Sequence, residues 1–276
     1  MVGDRGWKRR CFLRIVCKIK KGLYLLVVHG TIYPMEDSAR QCKLPTGSGT
    51  EGEMERGHIL LLDINQLRTP GFFDAYLEKV APVRKKCVEA HKTESGKVQS
   101  LGAGVLLNKM LEPFGLNPME MMLEYGENQK PYIPQLPRFH FNLTHSGNYA
   151  AGAWAHSPVG IDLERVKRVP EGIARRFFHR NERLWLEGLS SREEQIQGFF
   201  RLWVLKESFM KVTGLGMKLP LDAFEILIED EGVQVKHQLN ETTYYFQEFE
   251  MEGFRGAVCG EDPAVREWGI EKISLE

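Results

Sequence analysis

The chain has 276 residues, with 37 Lys and Arg against 37 Asp and Glu, and 42% of its residues are apolar. That composition suits a soluble globular chain of one large or two small domains. A formal charge of zero argues against a nucleic-acid binder working by phosphate neutralisation and against an acidic disordered chain. The zero sums unlike parts: residues 1–57 carry 11 basic and 6 acidic side chains, net +5, while residues 58–276 carry 26 and 31, net −5.

The first part holds a basic run from Lys8 to Lys21, a short apolar patch at Leu23–Val28 and a polar stretch ending in Gly57. The patch is far shorter than the roughly 20 residues a membrane span needs. Lys18, Lys20 and Lys21 interrupt any signal-peptide core. Residues 1–57 are expected to be a poorly ordered extension or a start taken too early, since Met54 precedes His58 as an initiator would. Cys11, Cys17, Cys42, Cys87 and Cys259 show no metal-ligand or disulfide spacing. Free thiols in a reducing compartment, the cytoplasm, are expected.

His58–Ile64 reads as an apolar strand, followed by helices over about Phe72–Ala90 and Lys97–Phe114. Phe139–Thr144, Tyr149–Ala155 and Val159–Glu164, separated by turn residues, read as an antiparallel meander. After Pro170 comes a helical region with Ile173, Phe177, Phe178, Leu184, Trp185 and Leu189. Ser191 and Glu194 then form a capping-box pattern opening a longer helix. Its apolar stripe is Ile196, Phe199, Phe200, Trp203 and Met210, and Gly214 and Gly216 end it. Runs at Phe224–Ile228, Val233–Leu239, Tyr244–Phe249 and Gly256–Gly260 suggest a second antiparallel sheet. The expected class is α+β, in two halves of similar size covering 58–158 and 159–276.

Three groups of residues carry candidate chemistry. On a strand, Asp162 and Glu164 share one face, opposite Ile161 and Leu163. Paired carboxylates there are either ordinary solvent-facing acids or ligands for a hard divalent ion. Glu207 and Lys211 stand one helical turn apart, with Trp203 one turn before them, either as a surface ion pair or as a third carboxylate and an ammonium suited to a pyrophosphate. His145 sits at a strand-to-turn junction, where a lone histidine is either structural or catalytic, and its neighbour Thr144 adds an anion-binding group. Lys130-Pro131 adds an anion-binding and ring-stacking element.

The ordered array Lys130-Pro131, Phe141-Asn142-Leu143-Thr144-His145-Ser146-Gly147, Val159-Gly160-Ile161-Asp162-Leu163-Glu164 and Trp203-x-x-Lys206-Glu207-x-x-x-Lys211 resembles the 4'-phosphopantetheinyl transferases, specifically the surfactin-synthetase-activating type. The resemblance runs from about His58 to the C-terminus and includes Arg84-Lys85-Lys86-Cys87 and Ser100-Leu101-Gly102. It implies two similar α+β halves related by a pseudo-twofold axis, each an antiparallel sheet packed with helices, with the active site in the cleft between them. It also implies transfer of phosphopantetheine from coenzyme A to a carrier-protein serine, releasing adenosine 3',5'-bisphosphate.

Carried over residue by residue, the resemblance makes Asp162, Glu164 and Glu207 ligands of Mg²⁺, with Mn²⁺ an admissible substitute. Glu207 becomes the base, Lys211 the pyrophosphate contact, and His145 with Thr144 the contact to a nucleotide phosphate. Lys130 and Pro131 would lie against the adenine end. Where similar proteins place an Arg before the Leu-Gly of the second helix, this chain has Val98, so Lys85, Lys86, Lys92 and Lys97 are candidates for the 3'-phosphate. Lys167, Arg168, Arg175, Arg176, Arg180 and Arg183 are candidates for facing an acidic carrier, the alternative being a solvated helical face. Fatty-acid, polyketide and nonribosomal-peptide carriers all fit, so fatty-acid and antibiotic biosynthesis are both open. A monomer with no nucleic-acid or membrane partner is expected. The rival activities are hydrolysis of coenzyme A by the same groups and binding of coenzyme A or a carrier without chemistry.

Overall fold

The computed structural model describes residues 57–276, and the readings made for residues 1–56 lie outside the described residues. Strand β1 (His58–Asp63) is followed by helices α1 (Phe72–Leu77), α2 (Pro82–Glu89) and α3 (Glu94–Leu111). A two-residue-per-strand hairpin, β2 (Glu124–Tyr125) and β3 (Pro131–Tyr132), leads to β4 (His140–Ser146), β5 (Tyr149–Ala155) and β6 (Val159–Arg165). Helices α4 (Ile173–Phe177), α5 (Arg180–Glu187) and α6 (Arg192–Thr213) come next. The chain finishes with β7 (Glu225–Glu229), β8 (Gly232–Lys236), β9 (Tyr245–Met251), β10 (Phe254–Gly260) and β11 (Ile270–Ile273). The α+β class holds.

The expected single helix over 72–90 is two, because Pro82 opens α2 at its first turn and Val80 and Ala81 are buried beneath the break. Helix α3 starts earlier than expected, where the Thr93 side chain accepts from the Gly96 amide. The capping box at Ser191 and Glu194 is present, and Gly214 ends α6 in the left-handed region at φ 67°.

The expected meander does not close. β4 and β5 form a hairpin in a sheet ordered β11-β1-β5-β4, whereas β6 pairs with β10 in a second sheet ordered β6-β10-β9. The last strand returns to the first sheet, running parallel to β1 with Ile59 opposite Ile270. The other expected strands form a separate β7–β8 hairpin. The gap between β4 and β6 is bridged by side chains: the Ile161 amide donates to Asn142 Oδ1 at 2.9 Å and the Arg165 amide to Ser146 Oγ at 3.0 Å. Side-chain acceptors thereby replace the carbonyls that a continuous ladder would have offered.

Strand β1 is apolar on both faces because both are covered. Leu60 and Leu62 join a core with α3 residues Leu101, Leu106 and Met110. Ile59 and Leu61 instead meet Val159, Ile161, Leu163 and Val258 where the two sheets pack. A further core surrounds α6, with Leu205, Phe209 and Phe224 at its centre. Trp203, expected within that core, is only partly buried and stacks on Phe199 at 5.7 Å between ring centroids.

Candidate functional site

Strand β6 divides its side chains by parity. Val159, Ile161 and Leu163 enter the inter-sheet core, so Gly160, Asp162 and Glu164 share the opposite face. Gly160 is where α6 touches the strand: a Cβ there would lie 2.2 Å from the Ser208 carbonyl oxygen and 2.4 Å from the Val212 nitrogen. Absence of a side chain therefore brings the helix onto the strand directly beside Asp162.

Helix α6 is buried on nearly all sides at this point. From Leu202 to Val212 only Trp203, Glu207 and Lys211 are not fully buried. Those positions are four residues apart and make one row on the helix. The row is the least buried side of this stretch of α6, and its last member meets β6. Lys211 Nζ donates to Asp162 Oδ1 at 2.6 Å and to the Ile161 carbonyl at 2.9 Å.

Asp162 is 5% exposed and lies between two strands and the helix. Its Oδ1 also accepts from Thr144 Oγ1 at 3.1 Å, while its Oδ2 is buried without a hydrogen-bond partner. Glu164 Oε2 accepts from Ser146 Oγ at 2.7 Å. The stripe Asn142, Thr144, Ser146 on β4 thus serves β6. Sequence reasoning gave Asn142 and Ser146 no role. The signal was there: polar residues at every second position of a strand otherwise holding the buried Phe141.

The carboxylate oxygens and hydroxyls here are hard ligands, and a buried carboxylate oxygen without a partner calls for a cation. On donor chemistry and on the orphaned Oδ2 the site fits a divalent ion. Among the described residues, no three His, Cys, Asp or Glu side chains are drawn together as a ready-made metal cage. Lys211 is the positive charge held at Asp162.

Other candidate residues lie elsewhere. Thr144 faces Asp162, so His145 projects from the other face of β4. The turn after His145 is tied to α3 by the Gln99 side-chain amide donating to the Gly147 carbonyl at 3.2 Å, which brings the start of α3 beside it. There Val98 is buried in the core and Lys97 pairs with Glu94 at 2.9 Å. Lys85 pairs with Glu78, whose hydrogen bond raises the lysine's pKa, and Lys86 and Lys92 are exposed.

Lys130 does not present its ammonium to solvent: Nζ donates to the carbonyls of Lys211 at 2.8 Å, Val159 at 3.1 Å and Val212 at 3.3 Å. The residue as a whole is half-buried, but the ammonium end is enclosed, and burial pushes its pKa down to about 8. Lys206 of the helix motif is likewise turned inward. It is fully buried, 2.5 Å from Glu182 Oε1, and donates to the Phe224 carbonyl at 3.0 Å. Burial lowers its pKa, and Glu182 opposes that shift. Glu182 also accepts from the amides of Ile226 and His179, a structural role that sequence reasoning missed.

Carboxylates, hydroxyls and an ammonium are gathered between a strand and a helix, groups able to hold a hard cation and an anion together. The chain resembles known proteins. The family model described as the 4'-phosphopantetheinyl transferase superfamily matches residues 158–260, which contain the β6 and α6 motifs. The chain is 36% identical over 199 residues to the 4'-phosphopantetheinyl transferase ffp of Bacillus subtilis, covering 71% of this chain and 88% of that one. It is 33% identical over 195 residues to 4'-phosphopantetheinyl transferase Sfp of Bacillus subtilis strain 168, covering 70% and 86%. A more distant relative is the human L-aminoadipate-semialdehyde dehydrogenase-phosphopantetheinyl transferase, 28% identical, covering 54% and 45%. The chain belongs to the 4'-phosphopantetheinyl transferase superfamily and, within it, to the Sfp type.

Proposed function

We propose that this enzyme transfers 4'-phosphopantetheine from coenzyme A to a serine hydroxyl of an acyl or peptidyl carrier, with Mg²⁺ held by Asp162, Glu164 and Glu207. The observation that carries the reading is the Asp162 carboxylate, anchored through Oδ1 by Lys211 and Thr144, with Oδ2 buried and unpaired. The ion, when bound, supplies positive charge to the pyrophosphate oxygens. Lys211 reaches the same oxygens from the least buried row of α6 and balances charge that develops on the leaving phosphate. Glu207, one turn earlier, accepts the serine proton as the serine oxygen bonds to the β-phosphorus and the bond to the departing bisphosphate breaks. Thr144 and Ser146 orient the carboxylates.

Pro131 lies against the adenine, His145 beside a nucleotide phosphate, and Lys85, Lys86 and Lys97 toward the 3'-phosphate in this reading. The acidic carrier approaches α4 and α5, where Arg175, Arg176 and Arg180 are exposed beside the exposed Leu184. The division into halves falls between β5 and β6, with β11 crossing back to the sheet of the first half, and a cytoplasmic monomer is the working unit. Among the described residues no helix is long and apolar enough to cross a membrane.

Incubation with coenzyme A, Mg²⁺ and an apo carrier tests the reading. The carrier should gain the mass of one phosphopantetheinyl group. Turnover of coenzyme A without that gain would replace transfer by hydrolysis.

A further inference from the structure

Helix α6 ends where β6 begins, and one side chain from outside both elements joins them. Lys130 stands at the start of the β2–β3 hairpin's return strand, far from α6 in sequence. Its ammonium donates to the Lys211 and Val212 carbonyls in the last turn of α6 and to the Val159 carbonyl that opens β6. Its stem runs beside the helix's terminal glycine, for a Cβ on Gly214 would lie 3.6 Å from Lys130 Cδ. Helix C-termini leave carbonyls without intrahelical partners and carry partial negative charge, so an ammonium satisfies both needs. The carbonyl of Lys211 thus accepts from Lys130, while the same residue's side chain reaches Asp162.

We propose that Lys130 is a positioning residue of the transferase: by capping the last turn of α6 and tying it to the first carbonyl of β6, it sets where Lys211 stands relative to Asp162. The inference rests on the reading of Lys211 as the lysine that meets the pyrophosphate. Lys130 touches neither substrate nor ion in this role. Its ammonium acts through the backbone of Lys211, and the titratable groups that bear on it are Glu261, just beyond the end of β10, Cys259 within that strand, and His140 at the start of β4.

The test uses the full chain, coenzyme A, Mg²⁺ and an apo carrier, with Lys130→Met, Lys130→Arg, Lys211→Met and the double variant Lys130→Met/Lys211→Met. Misplacing a charge-stabilising group by about an ångström should lower kcat for Lys130→Met by about 10- to 100-fold. The KM for coenzyme A should change by less than about threefold, because a group acting only through Lys211 removes little ground-state binding. In the Lys211→Met background the same Lys130 change should cost less than about threefold, since both act on one interaction. Without ligands, amide hydrogen exchange should quicken at 212–216 in Lys130→Met and stay unchanged at 199–206.

Full kcat in Lys130→Met, or losses that multiply in the double variant, would overturn the proposal. If Lys130→Met does not fold, Lys130→Arg decides: it keeps a cation at the helix end, so kcat and exchange close to wild type support capping, and a loss as deep as that of Lys211→Met refutes it. An active Lys211→Met variant would instead overturn the site reading beneath the proposal, and it shows itself whatever Lys130 does.

Discussion

Lys211 and Asp162 meet at 2.6 Å across the junction of α6 and β6, with the aspartate side chain 7% exposed and the lysine 26%. The aspartate's Oδ1 is held by Lys211 and Thr144, and its second oxygen is buried without a hydrogen-bond partner. Asp162→Asn should therefore keep the fold, since Asn fills the same space and still accepts from Thr144 and Lys211. Carrier modification should fall by at least about 100-fold, because the neutral amide holds a cation poorly. Thermal melting and a carrier-modification assay on one preparation check both halves, and near-normal turnover at limiting Mg²⁺ would remove Asp162 from the metal site.

Gly160 is the contact point that makes this meeting happen. Gly160→Ala places a methyl against the backbone of Ser208 and Val212, atoms that cannot swing aside as a flexible side chain would. The helix must lift from the strand, at a cost of about 1–3 kcal/mol by the usual penalty for overpacking. Urea denaturation should show the loss of stability, and carrier modification should fall with it. A variant as stable and active as wild type would show that α6 tolerates the displacement.

The Lys206–Glu182 pair offers a contrast between motif and mechanism. Both side chains are fully buried and, besides each other, bond to backbone groups. Lys206→Met strands a carboxylate in the core and should destabilise by about 3–5 kcal/mol. Replacing both residues by apolar ones should cost less than either single change, a sign reversal that a double-mutant cycle by denaturant unfolding detects.

Lys130 gives a pH signature. Its folded-state pKa is about 8 against an ordinary 10.5. Below the lower value the folded and unfolded chains both hold the proton, so Lys130 contributes no slope. Between the two values the unfolded chain binds more protons, and stability attributable to Lys130 rises with pH. The unfolding free energy of wild type minus that of Lys130→Met should therefore increase across the window from about 8 to 10.5. A flat or falling difference would show an ammonium whose pKa is not depressed.

Trp203 tests how a motif residue is valued. Full burial would have made Trp203→Ala cost about 3–5 kcal/mol. Partial burial against Phe199 and Phe178 lowers the expected loss to about 1–3 kcal/mol, by the smaller area removed from water. Melting curves of the two proteins measure it.

By itself, the sequence determined what depends on short range. The capping box at Ser191 and Glu194, the stop at Gly214 and the Glu207–Lys211 spacing follow from residues within a turn of each other. The paired motifs around Asp162 and Glu207 sufficed to name the family. Only the tertiary structure decided the partners. That β6 joins β10 while Asn142 and Ser146 bridge it to β4, that β11 returns to β1, and that Lys130 and Lys206 point into the protein are settled by which distant donors and acceptors meet when both sheets and α6 close on their cores. Hydrophobic period reports that a segment is a strand or a helix and which face is buried. It does not report which of several compatible neighbours will satisfy a buried lysine, because that depends on contacts made far along the chain.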